Sequence, residues 1–138
     1  MKSNIYVLDT SVISARFTKD DLFHNRAREA LAEIPSDALI IAPITVLIEL
    51  DARSKSVKNW HAALKGNLDK LLDEVIEIDL EFLGVLRFIN SKLGVKLKAI
   101  DLTVLTAALS NDAQLITFDE KLADAARFLG IEMLSSTS

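Results

Sequence analysis

Ile5-Tyr6-Val7-Leu8-Asp9-Thr10-Ser11 runs four apolar residues into an aspartate and two hydroxyl side chains. A short apolar run with no alternation reads as a strand buried on both faces, the kind found in parallel sheets. Asp, Thr and Ser start helices well, because their oxygens accept from the unpaired amides of a first turn. The stretch therefore predicts a strand over Ile5–Leu8 that turns at once into a short helix, Thr10–Phe17.

The same cadence continues downstream. Asp20 or Asp21 is placed to cap a helix to Ile34, with Leu22, Phe23, Ala27, Ala30 and Leu31 at helical spacing. Pro35-Ser36-Asp37 breaks it before a second strand, Ala38–Ala42. Thr45 is expected to cap a helix through Glu49 towards Ser54, and Val57–Asp73 reads as another helix. Val75–Ile78 is a third, half-buried strand, and Asp79 caps a helix over Leu80–Leu93 that Gly94 is expected to end in a left-handed conformation. A helix from about Asp101 to Ser110, a strand Leu115–Thr117, a helix Glu120–Leu129 stopped by Gly130, and a last strand Ile131–Leu134 complete the reading. Strands alternating with helices imply one α/β domain over residues 1–138, a three-layer α/β/α sandwich with a central, mainly parallel sheet. Such sheets bind ligands at the carboxyl ends of their strands, where the strand order reverses.

Composition agrees with one folded domain. The 138 residues are 50% hydrophobic, with 4 Gly and 2 Pro, which is a globular balance. No 18-residue uncharged apolar run is present, so no membrane span is expected. Asp9 falls too early for a signal-peptide core, and the absence of cysteine excludes disulfides and thiolate-held zinc. A reducing cytoplasm is the expected location. A net charge of −4 argues against coating nucleic acid by bulk attraction, yet it permits an acidic pocket neutralised by a cation.

Four acids define that pocket. Asp9 and Asp119 each follow a strand and precede a helix; a cap explains either alone, but both point to the same crevice. Glu49 is the one charged residue in Ala42–Leu50, and an unpaired carboxylate among apolar neighbours needs a partner, a proton or a cation. Asp101 stands in Ala99–Leu105 at a helix start, where the helix dipole also favours it. Clustered carboxylates cannot all stay ionised without a counter-cation, and oxygen-only ligands select hard ions such as Mg²⁺ or Mn²⁺. An ion so held polarises a phosphoryl oxygen and activates a water for attack on phosphorus. His24 and His61 show no ligand spacing and read as surface residues.

Val7-Leu8-Asp9-Thr10-Ser11, Ile44–Leu50, Ile100–Ala108 and Leu115–Asp119 resemble, in order and spacing, the four motifs of the PIN domain, the nuclease domain of VapC-type toxins and of several RNA-processing enzymes. The resemblance covers almost the whole chain. It implies that Asp9, Glu49, Asp101 and Asp119 ligate a catalytic Mg²⁺ or Mn²⁺, and that Thr117, with Thr10 or Ser11, orients acids, water or substrate phosphate. The implied activity is endonucleolytic hydrolysis of RNA to a 5′-phosphate, as the toxin of a toxin–antitoxin pair. An RNA-processing nuclease or a non-catalytic RNA- or protein-binding module is the alternative within the family.

Arg53, Lys55, Lys58 and Trp60 form a basic, aromatic stretch after Glu49 that offers phosphate contacts and base stacking, or else an ordinary solvated helix with Trp60 on the core. Lys92, Lys96 and Lys98 make a second basic group before Asp101. The apolar content of Asp21–Ile34 and of Phe82, Leu83, Leu86, Phe88 and Ile89 exceeds the needs of a small core, which leaves surface for a second copy or a partner peptide. The resemblance implies a homodimer and an antitoxin. Aspartate-based phosphotransfer fits less well. A haloacid-dehalogenase-like phosphatase wants a second Asp where Ser11 stands, and the amino terminus lacks the acidic pair of a receiver domain.

Overall fold

The computed structural model describes residues 4–54 and 60–134, the side chains of 54 and 60–65 excepted. Among these residues four short strands, β1 (Ile5–Leu8), β2 (Leu39–Pro43), β3 (Glu74–Ile76) and β4 (Gln114–Ile116), form one sheet in the order β3-β2-β1-β4. Every pairing is parallel, with Val7 opposite both Ile41 and Leu115. The chain steps outward from β1 to β2 to β3 and then crosses back to lay β4 on the far side of β1. Strand order therefore reverses between β1 and β4, and the crevice for a ligand opens at their carboxyl ends.

Among the described residues seven helices cover the sheet: α1 (Thr10–Phe17), α2 (His24–Ala32), α3 (Ile44–Ser54), α4 (Trp60–Leu71), α5 (Leu80–Lys92), α6 (Ala99–Ser110) and α7 (Glu120–Phe128). β1 is central in the sheet and β4 lies at its edge, yet the apolar residues of both strands are covered on both faces. Val7, Leu8, Leu115 and Ile116 are wholly buried. Helix α6 carries no polar stripe because both its sides meet protein. Leu102 through Ala108 are all buried, against β1, β2 and neighbouring helices. Each large aliphatic buried here contributes roughly 1.5–3 kcal/mol. No helix among the described residues is long and apolar enough to cross a membrane.

Several local expectations are corrected. Helix α2 begins at His24, because the Asp21 carboxylate accepts from the Phe23 amide (2.8 Å) and closes a local turn instead of capping a longer helix. Leu22 is consequently exposed. Thr45 lies inside α3, whose start is set directly by the end of β2. Gly94 is not the left-handed stop of α5: Leu93 leaves the helix in an extended conformation (φ −79°), so no left-handed residue is required. That role belongs to Gly130, at φ 76° after α7. Residues 131–134 form a single bridge between Leu115 and Met133 and no strand, since β4 is only three residues long. His24 is half-buried, with Nδ1 donating to the Ala15 carbonyl at 2.8 Å. Of the supposed apolar surplus, Phe82 and Ile89 are core, while Phe88 is 59% exposed under the Lys92 ammonium.

Candidate metal centre at the switch point

Asp9 sits where β1 becomes α1 and is buried, at 4% exposure. Its backbone amide donates to the Ile116 carbonyl (3.1 Å), which continues the β1–β4 ladder and fixes the residue at the strand end. Both carboxylate oxygens are engaged. Oδ1 accepts from the Thr10 amide (2.8 Å), as a helix cap does. Oδ2 accepts from the hydroxyls of Ser11 (2.9 Å) and Thr117 (2.7 Å). Burial pushes this carboxyl above its ordinary value, the three hydrogen bonds oppose that, and the nearby Asp119 charge adds to the rise.

Thr117, wholly buried just past β4, joins the strand ends. Its hydroxyl donates to Asp9 and accepts from the Asp119 amide (3.0 Å). The Ser11 hydroxyl likewise accepts from the Phe118 amide at 3.4 Å. Asp119 is exposed and caps α7, with Oδ1 accepting from the Leu122 amide at 3.0 Å. The cap engages one carboxylate oxygen, Oδ1, so capping α7 and taking part in the site are compatible roles.

Asp101 occupies the first turn of α6, and its carboxyl is raised to about 6. Desolvation is the largest cause. Repulsion from Asp9, Asp119 and Glu49 adds to it, and Lys98 partly offsets it. Asp101 thus feels the charges of the other three acids, which share one electrostatic neighbourhood with it. Glu49, on α3, is half-buried, with Oε1 3.5 Å from Arg53 Nη2 one turn on. Sequence reasoning missed what joins α3 to α6. Thr103 donates to the Ile100 carbonyl (2.6 Å), so its oxygen accepts from Thr45 (2.6 Å). Thr45 lies four residues before Glu49 and Thr103 two after Asp101, so the hydroxyl pair sets the spacing of the two acid-bearing helices.

Of the other anticipated residues, Ser11 joins the hydrogen-bond set and the Thr10 hydroxyl is buried without a hydrogen-bond partner. Arg53 points to Glu49, whereas Lys55, Lys58 and the Trp60 side chain lie outside the described residues. Lys92, Lys96 and Lys98 are exposed. Among the described residues no three acidic or imidazole side chains stand close enough to form a ready-made cage for an ion. The donor chemistry nonetheless fits a small hard cation. The oxygens are all carboxylate or hydroxyl, two of the carboxyls are raised partly by mutual repulsion, and such ions often take only one or two carboxylates and keep their waters.

No curated protein matches the chain. Solved structures share its fold at low identity. FitAcB from Neisseria gonorrhoeae superposes with a TM-score of 0.75 at 18% identity, covering 95% of this chain and 97% of that one. VapBC-1 from nontypeable Haemophilus influenzae gives 0.72 at 19%, over 97% and 99%. VapC20 of Mycobacterium tuberculosis, a sarcin–ricin-loop-cleaving toxin, gives 0.71 at 17%, over 87% and 94%. The sequence itself matches the PIN domain family over residues 6–128, nearly its whole length. With that match, the parallel sheet and the acids at its switch point, the chain belongs to the PIN domain family.

Proposed function

We propose that this protein is a metal-dependent endoribonuclease, the toxin of a toxin–antitoxin pair. The observation that carries the reading is the buried, triply hydrogen-bonded Asp9 carboxylate within the electrostatic reach of Asp119 and Asp101 at the strand ends. Burying a carboxylate is costly, and like charges beside it raise the cost further. A scaffold that gathers acids in this way is built to receive positive charge.

Asp9, Asp101, Asp119 and Glu49 are the residues that would hold Mg²⁺ or Mn²⁺. When bound, such a cation supplies positive charge to phosphoryl oxygens and acidifies a water for attack on phosphorus. The chain does the orienting. Thr117, Ser11 and the Thr10 amide fix the direction of the Asp9 carboxylate before substrate arrives. Without a cation the Asp101 carboxyl is raised to about 6, chiefly by desolvation, so binding a divalent ion is coupled to loss of its proton. Asp119 is held by the α7 amide, and Glu49 is steadied by Arg53.

The proposed partners are an RNA substrate, an antitoxin protein and a second copy of the chain. The antitoxin reading is supported by fold neighbours that are VapBC complexes, from Haemophilus influenzae and Rickettsia felis among others. The test is cleavage of labelled single-stranded RNA in Mn²⁺, Mg²⁺ or EDTA, beside Asp9→Asn and Asp101→Asn. Cleavage that needs the metal and is lost in both variants is the expected result. Cleavage that survives in the variants, or an inability to bind any divalent ion, overturns the assignment.

A further inference from the structure

Beside the acids lies an open cleft of about 520 Å³, and its aromatic and arginine lining takes no part in the proposed metal centre. It is lined by Phe23 and Arg26 of the α2 region and by Thr117, Phe118, Asp119 and Arg127 from β4 onward. Thr117 and Asp119 also belong to the proposed metal centre, so cleft and centre are continuous. The Phe23 and Phe118 rings stack, with centroids 5.3 Å apart and planes inclined by 26°. The Arg26 guanidinium lies over both, 5.3 Å from the Phe23 centroid and 4.9 Å from that of Phe118.

The guanidinium and the two ring centres lie nearly equidistant, so Arg26 packs against both rings at once at the cleft wall. Arg127 is engaged with Asp124 at 2.9 Å. Arg26 has no carboxylate partner among the described residues, and its residue is exposed. A guanidinium pinned over rings keeps its planar face and its charge while losing the freedom of a long side chain. A nucleobase stacks on such a plane, and the phosphate beside the base takes the same positive charge.

We propose that Arg26, supported on the stacked Phe23 and Phe118, forms a nucleotide subsite that holds one base of single-stranded RNA next to the acidic centre. The proposal rests on the nuclease reading for its biological ligand, though the subsite itself is testable without turnover. With the base on the guanidinium, the adjoining phosphodiester lies towards Asp119, where the proposed cation would meet it. A fixed base at one side of the centre makes the cut position depend on the neighbouring nucleotide.

The experiment is a nuclear magnetic resonance titration of the full chain with adenosine 5′-monophosphate and, separately, ribose 5-phosphate. The nucleotide is expected to move the Arg26 side-chain and Phe118 ring resonances, and to bind at least about fivefold more tightly than the base-free sugar phosphate. Arg26→Lys keeps the charge and loses the plane. It is expected to remove that preference while leaving ribose 5-phosphate binding unchanged. Equal affinity for the two probes, or an unaltered preference in Arg26→Lys, overturns the subsite. Binding of the nucleotide through its phosphate alone, with no shift of the Phe118 ring resonances, overturns it equally. Parallel RNA cleavage assays separate the two readings. Intact cleavage with unchanged KM in Arg26→Ala removes the subsite and keeps the nuclease, whereas base-dependent binding without any cleavage removes the nuclease and keeps the subsite.

Discussion

Replacing Asp101 by Asn is expected to make the metal-free protein more stable at neutral pH, against the usual cost of altering a buried site. The carboxyl at this position is raised from 3.8 to about 6. Below 3.8 both folded and unfolded chains hold the proton and no penalty exists. As pH climbs from there towards 6 the unfolded chain ionises first, so stability falls, and above about 6 the full penalty stands. Taken whole, the shift amounts to ~3 kcal/mol. The carboxylate is only half-buried, so solvent screening cuts that to about 1–2 kcal/mol. Asn also forgoes the favourable charge at the α6 amino terminus, a loss of about 0.3–1 kcal/mol. The net expectation at pH 7 is a gain of about 1 kcal/mol, or ~2–5 °C in Tm for a domain of this size. Thermal unfolding by circular dichroism in EDTA at pH 4, 5, 6, 7 and 8 reads it directly. The two proteins should converge near pH 4 and separate through pH 6, and added Mn²⁺ should stabilise the wild type more than the variant. A variant that is no more stable than wild type at pH 7, with an unchanged pH profile, would refute the argument that burial and crowded acids set this carboxyl.

Thr117→Val removes the shortest hydrogen bond to Asp9 and the acceptor of the Asp119 amide, and should lower stability in urea by about 1–3 kcal/mol. Ser11→Ala, at a half-buried position with a 2.9 Å bond to the same oxygen, should cost less than Thr117→Val in that assay. Gly130→Ala meets no atom within 4 Å, so its expected cost of about 1 kcal/mol comes from the positive φ alone and shows as a lowered urea midpoint. Asp79→Ala deletes the carboxylate that caps α5 at the Phe82 amide and should cost about 1 kcal/mol, measured the same way.

The strand–acid–helix rhythm was legible because a parallel sheet buries both faces of a strand, so Ile5–Leu8 and Leu115–Ile116 announce themselves without alternation. Asp9, Thr117 and Asp119 stand where their motifs place them, since a strand end and a helix cap are local properties. What was hidden depends on partners distant in sequence. Thr45 reads locally as a cap, but it lies inside α3, and its hydroxyl donates to that of Thr103, 58 residues away. Nothing near Phe23 announces Phe118, or places Arg26 over both. Gly94 failed as a stop signal for the opposite reason: a glycine permits the left-handed turn but does not demand it, and Leu93 had already left the helix. Asp21 shows the same competition, with its side chain satisfying a turn before any helix can use it.

The bond between Thr117 and Asp9 spans 108 residues of chain, and β4, the strand that delivers Thr117, pairs only with the amino-terminal β1 among the named strands. Local helices form in any order, yet this closure waits for the last third of the polypeptide, and long-range pairing of this kind is slow to form. During synthesis Asp9 therefore leaves the ribosome long before the residue that aims it. A nascent chain shorter than about the first turn of α7 has its first acid on a strand edge with no opposing wall. The order of translation therefore delays completion of the acidic site until β4 has been made and paired with β1.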